Sequence, residues 1–318
     1  MSAIAQIREV KQSVGFKRVL IATDFSELSE RALAHALPIV RRCGSKLSIV
    51  HAIPPQTREP IFPDPLPREL DRERIEAETE MARLAEDACI KELHPHTVVE
   101  RGRVWDVLSS TIQDEAADLL VQGTHGRGGL KKLALGSIAE EVLRRAACPV
   151  LTIGPEVPAA GACKTEFETI LCATDFGPAS TTALSYALSL AEDCQAKLIL
   201  LHIIPPTLVA DIGPGVYGPG IYLAQELTEW QEAKQKESLR KLKELIPHDA
   251  NLKKQPEYVV GSAPLPTGIL ETAAARHADL IVMGANPVAA ARLLAHLPWA
   301  LTHEVICGAK CPVLTVRG

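Results

Sequence analysis

Short apolar runs alternate along this chain with longer stretches in which apolar positions return every three to four residues. In the first half the runs are Arg18 to Ala22, Lys46 to His51, Thr97 to Glu100, Asp118 to Gln122 and Val150 to Ile153. Their interiors are mostly Val, Leu and Ile without the polar alternation of a half-exposed sheet, which predicts strands covered on both faces. Between them Leu28 to Arg42, Glu69 to Glu92, Val104 to Glu115 and Ser137 to Ala146 carry the helical period. The pattern then restarts, with strands predicted near Thr169 to Ala173, Lys197 to His202, Gln255 to Val260, Asp279 to Met283 and Val313 to Val316. Alternation of this kind predicts an α/β chain built from parallel sheets with helices on both sides.

The restart is a repeat. The segment from Val19 to Pro55 recurs as Ile170 to Pro206, with 17 of 37 positions identical, and ACPVLTI at Ala147 to Ile153 is answered by KCPVLTV at Lys310 to Val316. At 318 residues the chain has length for two domains that each bury a core. Residues 1–155 and 156–318 are the expected domains, joined through Gly154 to Glu166, where Pro, Gly and Ala interrupt the pattern. The expected fold is thus two tandem doubly wound five-stranded parallel sheets flanked by helices.

Chemistry concentrates after the fourth strand of the first copy, in GTHGRGGLKKLALGS, Gly123 to Ser137. Glycine lets the main chain turn and bring amide N–H groups to an anion without a side chain between them. Gly123 and Gly126 would shape such a turn. Gly136 and Ser137 would open the following helix, whose first amides and positive dipole end face the same anion. Arg127, Lys131 and Lys132 add positive charge for a polyphosphate. The plainer reading is a strand-to-helix loop with glycine turns and a Ser137 cap. Ligands of doubly wound sheets bind beyond the carboxyl ends of strands where the strand order reverses, and Asp24 follows such an end too. Its carboxylate suits the hydroxyls of a sugar and would repel a phosphate; the alternative role for Asp24 is a helix N-cap.

Taken with ATDFS at Ala22 to Ser26, VHAIPP at Val50 to Pro55 and CPVLTI at Cys148 to Ile153, this run resembles the universal stress protein family in its tandem form. The resemblance spans both copies. It implies an ATP-binding first domain, with Mg2+ accompanying the nucleotide. Carried over by position, Ala22 and Asp24 would meet adenine and ribose, Ala52 would line the base slot, and Gln122 and Gly123 would complete that wall. Gly126, Gly136, Ser137 and Ile138 would hold the phosphates through backbone amides, with Arg127 nearby. The resemblance further implies that the two last strands pack together as an internal pseudo-dimer, and it allows a homodimer of whole chains and an unidentified protein partner.

The second copy reads GANPVAAARLLAHLPWALTHEV at the same place. Gly284 is kept, but Pro287 stands where Gly126 stood, and proline has no amide hydrogen to donate. Leu297 and Pro298, or Trp299 and Ala300, replace Gly136 and Ser137. This cradle is expected to be lost, with Asp175 left as a cap or fold residue. GPGVYGPG, Gly213 to Gly220, is glycine-rich yet interleaved with prolines and lacks strand-to-helix placement, so it reads as a loop.

A net charge of −5 and the lack of interleaved aromatics and cations argue against nucleic acid. No stretch is long and apolar enough for a membrane span, and a cytoplasmic protein is expected. The eight cysteines include no CxxC pair and read as reduced thiols. His51 and His202, at equivalent strand ends, are expected to satisfy backbone groups. No GxxxxGK[ST] loop or paired-carboxylate motif marks a fast ATPase. An ATP-binding stress-response protein, whose nucleotide controls conformation or partner binding, therefore leads over a slow Mg-dependent ATPase or autokinase and over a nucleotide-free scaffold.

Overall fold

The computed structural model describes residues 7, 14–55, 67–124, 135–159, 166–205, 220–285 and 297–317, with the side chains of 67–70, 220–227 and 297–300 excepted. The first copy runs β1 (Arg18–Ala22), α1 (Glu27–Cys43), β2 (Lys46–Ile53), α2 (Pro67–Ala85), β3 (His96–Arg101), α3 (Val104–Asp114), β4 (Leu119–Gly123), α4 (Ser137–Arg145) and β5 (Val150–Ile153). The second runs β6 (Thr169–Ala173), α5 (Pro178–Cys194), β7 (Lys197–Ile204), α6 (Gly220–Leu245), β8 (Glu257–Ser262), α7 (Leu265–Ala275), β9 (Leu280–Ala285), α8 (Leu297–Gly308) and β10 (Val313–Arg317). Contacts divide the chain into two compact units. One holds Gly15–Glu166 and Ile306–Arg317, the other Met1–Val14, Phe167–Val305 and Gly318.

In the unit of the first copy the strand order is β3-β2-β1-β4-β5-β10. Strands β1 to β5 are parallel, and β10 joins β5 antiparallel, Val313 beside Thr152 and Thr315 beside Val150. The two last strands thus pair, as expected from the resemblance. In the other unit the order is β9-β6-β7-β8, all parallel. Succession moves outward from β1 through β2 to β3 and, in the opposite direction, from β4 to β5. The reversal falls between β1 and β4 in one unit and between β6 and β9 in the other.

Local chemistry fixes these elements. Ser26 caps α1 by accepting the amide of Ser29, and Gly44 ends it in the left-handed region with φ 59°, its amide returning to Val40. Both Asp118 oxygens take backbone amides at the entry of β1, Lys17 and Arg18 at 2.9 Å each. Asp279 repeats this for Glu168 and Thr169 at 2.8 and 3.3 Å. Val19, Leu20, Ile21 and Leu119, Leu120, Val121 are essentially without exposure; burying each such aliphatic chain contributes about 1.5–3 kcal/mol. The largest boundary difference from expectation is at the end of α2: the helix projected to Glu92 ends at Ala85. The Asp87 side chain accepts the amide of Cys89 at 2.8 Å, and its carbonyl accepts Ile90 and Lys91, turning the chain into a short 3-10 segment at Lys91–Leu93.

Candidate functional site

The site is framed by the carboxyl ends of β1, β2 and β4. Ala22 lies beside Val50 of β2, the amide of Thr23 bonds the Val50 carbonyl at 2.9 Å, and Ile21 lies beside Val121 of β4. Thr124, fully buried, continues β4 by donating its amide to Ile153 at 3.1 Å. Its carbonyl accepts the amide of Gly136 at 2.8 Å. That bond ties the start of α4 to the end of β4. Gly126 and Arg127, with His125, Lys131 and Lys132, lie outside the described residues. The structure therefore brings together Ala22, Asp24, Gln122, Gly123, Gly136, Ser137 and Ile138 at the reversal point, with Ala52 on the neighbouring β2.

Asp24 is half-buried and does not cap α1 itself. Its Oδ1 accepts the amide and hydroxyl of Ser26 at 3.1 and 2.6 Å, and Ser26 is the cap. The carboxylate is oriented by the helix start it supports. Phe25 then adopts φ 60°, a left-handed conformation uncommon outside glycine. It is held there by an amide bond to Thr23 Oγ1 at 3.0 Å and by a ring contact with His51 at 4.4 Å between centroids. His51 Nδ1 in turn bonds the Thr23 carbonyl at 2.8 Å, the backbone role expected for it. Sequence reasoning missed Phe25 as part of this arrangement. The signal was available, since Thr-Asp-Phe and the histidine recur together in the second copy.

Gln122 is placed differently from the wall residue expected. Its side chain is 4% exposed, and its amide nitrogen donates to the Ala139 carbonyl at 3.2 Å, with Thr152 Oγ1 at 3.5 Å. It therefore fastens α4 to β4 and leaves the strand backbone to face the crevice. Gly123 faces α1: a Cβ there would lie 3.1 Å from Leu28 Cγ and 3.4 Å from its carbonyl carbon. Gly136, not Ser137, is the N-cap of α4, with φ −63° and ψ 147°, and it makes no side-chain cap bond. Ser137 and Ile138 are the first two helical residues, both exposed, Ile138 at 40%. The first helical bond is Glu140 to Gly136 at 2.9 Å, so the amides of Ser137, Ile138 and Ala139 precede the ladder at the positive end of the helix.

The second copy reproduces the first half of this geometry. Asp175 Oδ1 accepts Gly177 N at 2.8 Å and Ser180 Oγ at 2.6 Å. Phe176 has φ 64° and meets His202 at 4.4 Å, and His202 bonds the Thr174 carbonyl at 2.8 Å. Gly284 packs more tightly than Gly123, because a Cβ there would stand 2.5 Å from Ala179 C and Ser180 N. Pro287 lies outside the described residues. Helix α8 starts at Leu297 and has 12 residues, against 9 in α4. Counting back from the equivalent strands β10 and β5 sets Ala300 at the place of Ser137, three residues past the first residue of α8.

Among the described residues no helix is long and apolar enough to cross a membrane, and no cluster of three or more His, Cys, Asp or Glu is arranged to hold a metal ion. None of the seven described cysteines is in a disulfide. Burial pushes the Cys148 thiol up to about 11 and the Cys172 thiol up to about 12.

The sequence model of the universal stress protein family matches residues 15–154 and again 166–317. A universal stress protein of Thermus aquaticus is 36% identical over 145 residues, 43% of this chain and 98% of that protein. One from Methanocaldococcus jannaschii is 30% identical over 147 residues, 43% of this chain and 82% of that protein. The crystal structure of a universal stress protein from Archaeoglobus fulgidus aligns with a TM-score of 0.64 at 18% identity, covering 95% of this chain and 97% of that one, which bears on the fold alone.

Proposed function

The chain belongs to the universal stress protein family, matched once by each copy, and from that premise we propose that the first copy binds ATP and that the second does not. The observation that carries the reading is the Gly136–Thr124 bond. It sets the exposed first turn of α4 against the carboxyl end of β4, beside the β1 end that bears Asp24. Amides of Ser137 and Ile138 suit phosphate oxygens, and Asp24 suits ribose hydroxyls. Gly126 and Arg127 are assigned to the phosphates by the sequence pattern. Ala22 and Ala52 are assigned to the base slot, along with the backbone of Gln122 and Gly123. Mg2+ would accompany the phosphates and offset their charge.

The fit has physical support on both sides of the comparison. In the first copy the residue ahead of α4 is a glycine that brings no side chain between anion and amides. In the second, the corresponding residue is not at the start of α8 but three residues along it. Nothing in the described crevice supplies a general base beside the helix start, and a binding output is favoured over turnover: nucleotide occupancy would favour one conformation or one partner-competent state. The direct check is equilibrium ATP binding by the full chain and by Asp24→Ala. At least about a tenfold weakening is expected, the size of about 1.4 kcal/mol in hydrogen bonding. Equal affinity in the two proteins contradicts the assignment of Asp24. Mg-dependent ATP turnover well above buffer, lost in Asp24→Ala, would instead favour the enzyme reading.

A further inference from the structure

Gln122 is a buried amide beside Leu119, Leu120 and Val121 on β4. Burying such a group costs free energy unless it is hydrogen-bonded, and the bond it makes goes to one particular place. Its Nε2 lies 3.2 Å from the carbonyl of Ala139, in the first turn of α4, with Thr152 Oγ1 3.5 Å away. The facing atom is a carbonyl oxygen, so the amide nitrogen and not the amide oxygen must sit against it.

From that carbonyl a line of peptide groups leads to the crevice. The peptide whose oxygen Gln122 engages carries the amide of Glu140, which donates to the Gly136 carbonyl at 2.9 Å. The peptide of Gly136 carries in turn the amide of Ser137, which precedes the helical ladder at the exposed start of α4. Hydrogen bonds in such a series polarise one another, so donation to the Ala139 oxygen strengthens the Ser137 N–H as a donor. It also fixes the turn, because a helix of 9 residues is too short to hold its shape without tertiary contacts. The other end of α4 is held by the Arg145 guanidinium, 4.7 Å from the centre of the Trp105 ring.

The second copy keeps neither pair. Matching β9 to β4 sets Met283 at the place of Gln122, and its thioether has no N–H to give. Pro266 stands at the place of Trp105 and Gly308 at that of Arg145. The buried amide thus goes with the copy whose helix opens with Gly136 and Ser137.

Resting on the reading of the first copy as the ATP-binding one, we propose that Gln122 is a positioning residue for the phosphate end of the nucleotide, acting through Ala139, Glu140 and Gly136 on the Ser137 amide. Its side chain points from β4 to α4, and the base slot is assigned its backbone alone. The side chain therefore serves the phosphates and not the nucleoside.

Parallel calorimetric titrations of Mg-ATP and of adenosine into the full chain, unmodified and as Gln122→Met, test this. Methionine is the second copy's residue and conserves the volume of the site. Mg-ATP should bind about tenfold more weakly to the variant, whereas adenosine should titrate alike in the two proteins. Circular dichroism checks folding, and Gln122→Leu replaces Gln122→Met if that variant does not fold, with the same split expected. Equal Mg-ATP affinity in variant and unmodified chain, or a loss of adenosine affinity as large as that of Mg-ATP, overturns the role of Gln122 and leaves ATP binding by the first copy standing. No Mg-ATP binding to the unmodified chain overturns both.

Discussion

At the residue scale, the glycine at the end of β4 does a different job from the glycines that follow it in sequence. Gly123 and Gly284 close onto the starts of α1 and α5, and Gly284 persists where Pro287 has replaced the next glycine of the pattern. The first glycine of the run is therefore kept by packing, whether or not phosphate binds. Gly284→Ala should destabilise the chain by ~3 kcal/mol, because the new Cβ meets backbone atoms that cannot rotate away, and Gly123→Ala by only ~1 kcal/mol against the movable Leu28 side chain. Urea denaturation midpoints would show this order; equal midpoints for the two variants would contradict it. The buried thiols give a second expectation. Cys148 and Cys172, pushed up to about 11 and about 12, hold almost no thiolate at pH 8, so mass-detected alkylation should reach them only after unfolding. Because burial raises both above the ordinary 9.0, their contribution to stability is complete below pH 9 and falls as the pH climbs toward 11 to 12. Glycine spacing and repeated histidines were legible in the sequence at this scale. The inward turn of Gln122 was not, since which face a strand residue takes depends on register against helices that the residue alone does not specify.

At the element scale, strand and helix order came through from periodicity almost intact, because Val, Leu and Ile runs covered on both faces leave little ambiguity. The end of α2 did not: charged residues continue a helical pattern past Ala85, and a single side-chain bond from Asp87 decides where it stops. The carboxylates at strand entries are the elements' clearest anchors. Asp118→Ala removes a charged acceptor from two backbone amides and should cost about 2 kcal/mol, read from thermal or urea unfolding, whereas a change below about 0.5 kcal/mol would show that water replaces the carboxylate. On the edge strand β8, hydrogen bonding from Lys197 at 2.5 Å, with Arg276 at 3.1 Å, holds the Glu257 carboxyl below the ordinary carboxylate range. Its contribution is present above the unfolded carboxylate range and is lost as pH falls. Glu257→Gln should therefore lower stability modestly at neutral pH, and the gap from the unmodified chain should close in acid.

At the scale of the whole molecule, one sequence has been copied twice and the copies have diverged at the place where a nucleotide would sit. Both retain the Asp-Phe-His arrangement, which shows that this part serves the fold of the strand ends in each copy. Only the first retains a short α4 opened by Gly136 and Ser137. The tandem organisation was plain in the sequence, because the two long stretches align without a gap and share 17 of 37 positions. That β10 is counted with the first copy's unit was less so, since no local pattern says which sheet edge a last strand will join.

Isothermal titration of Mg-ATP into the nucleotide-free full chain, beside Gly126→Pro, tests the division of labour most directly. The variant writes the second copy's proline into the first, and its fold is checked by circular dichroism. A stoichiometry of one per chain, abolished in the variant, is the expected result. Two sites per chain, or no binding to the unmodified protein, would contradict it.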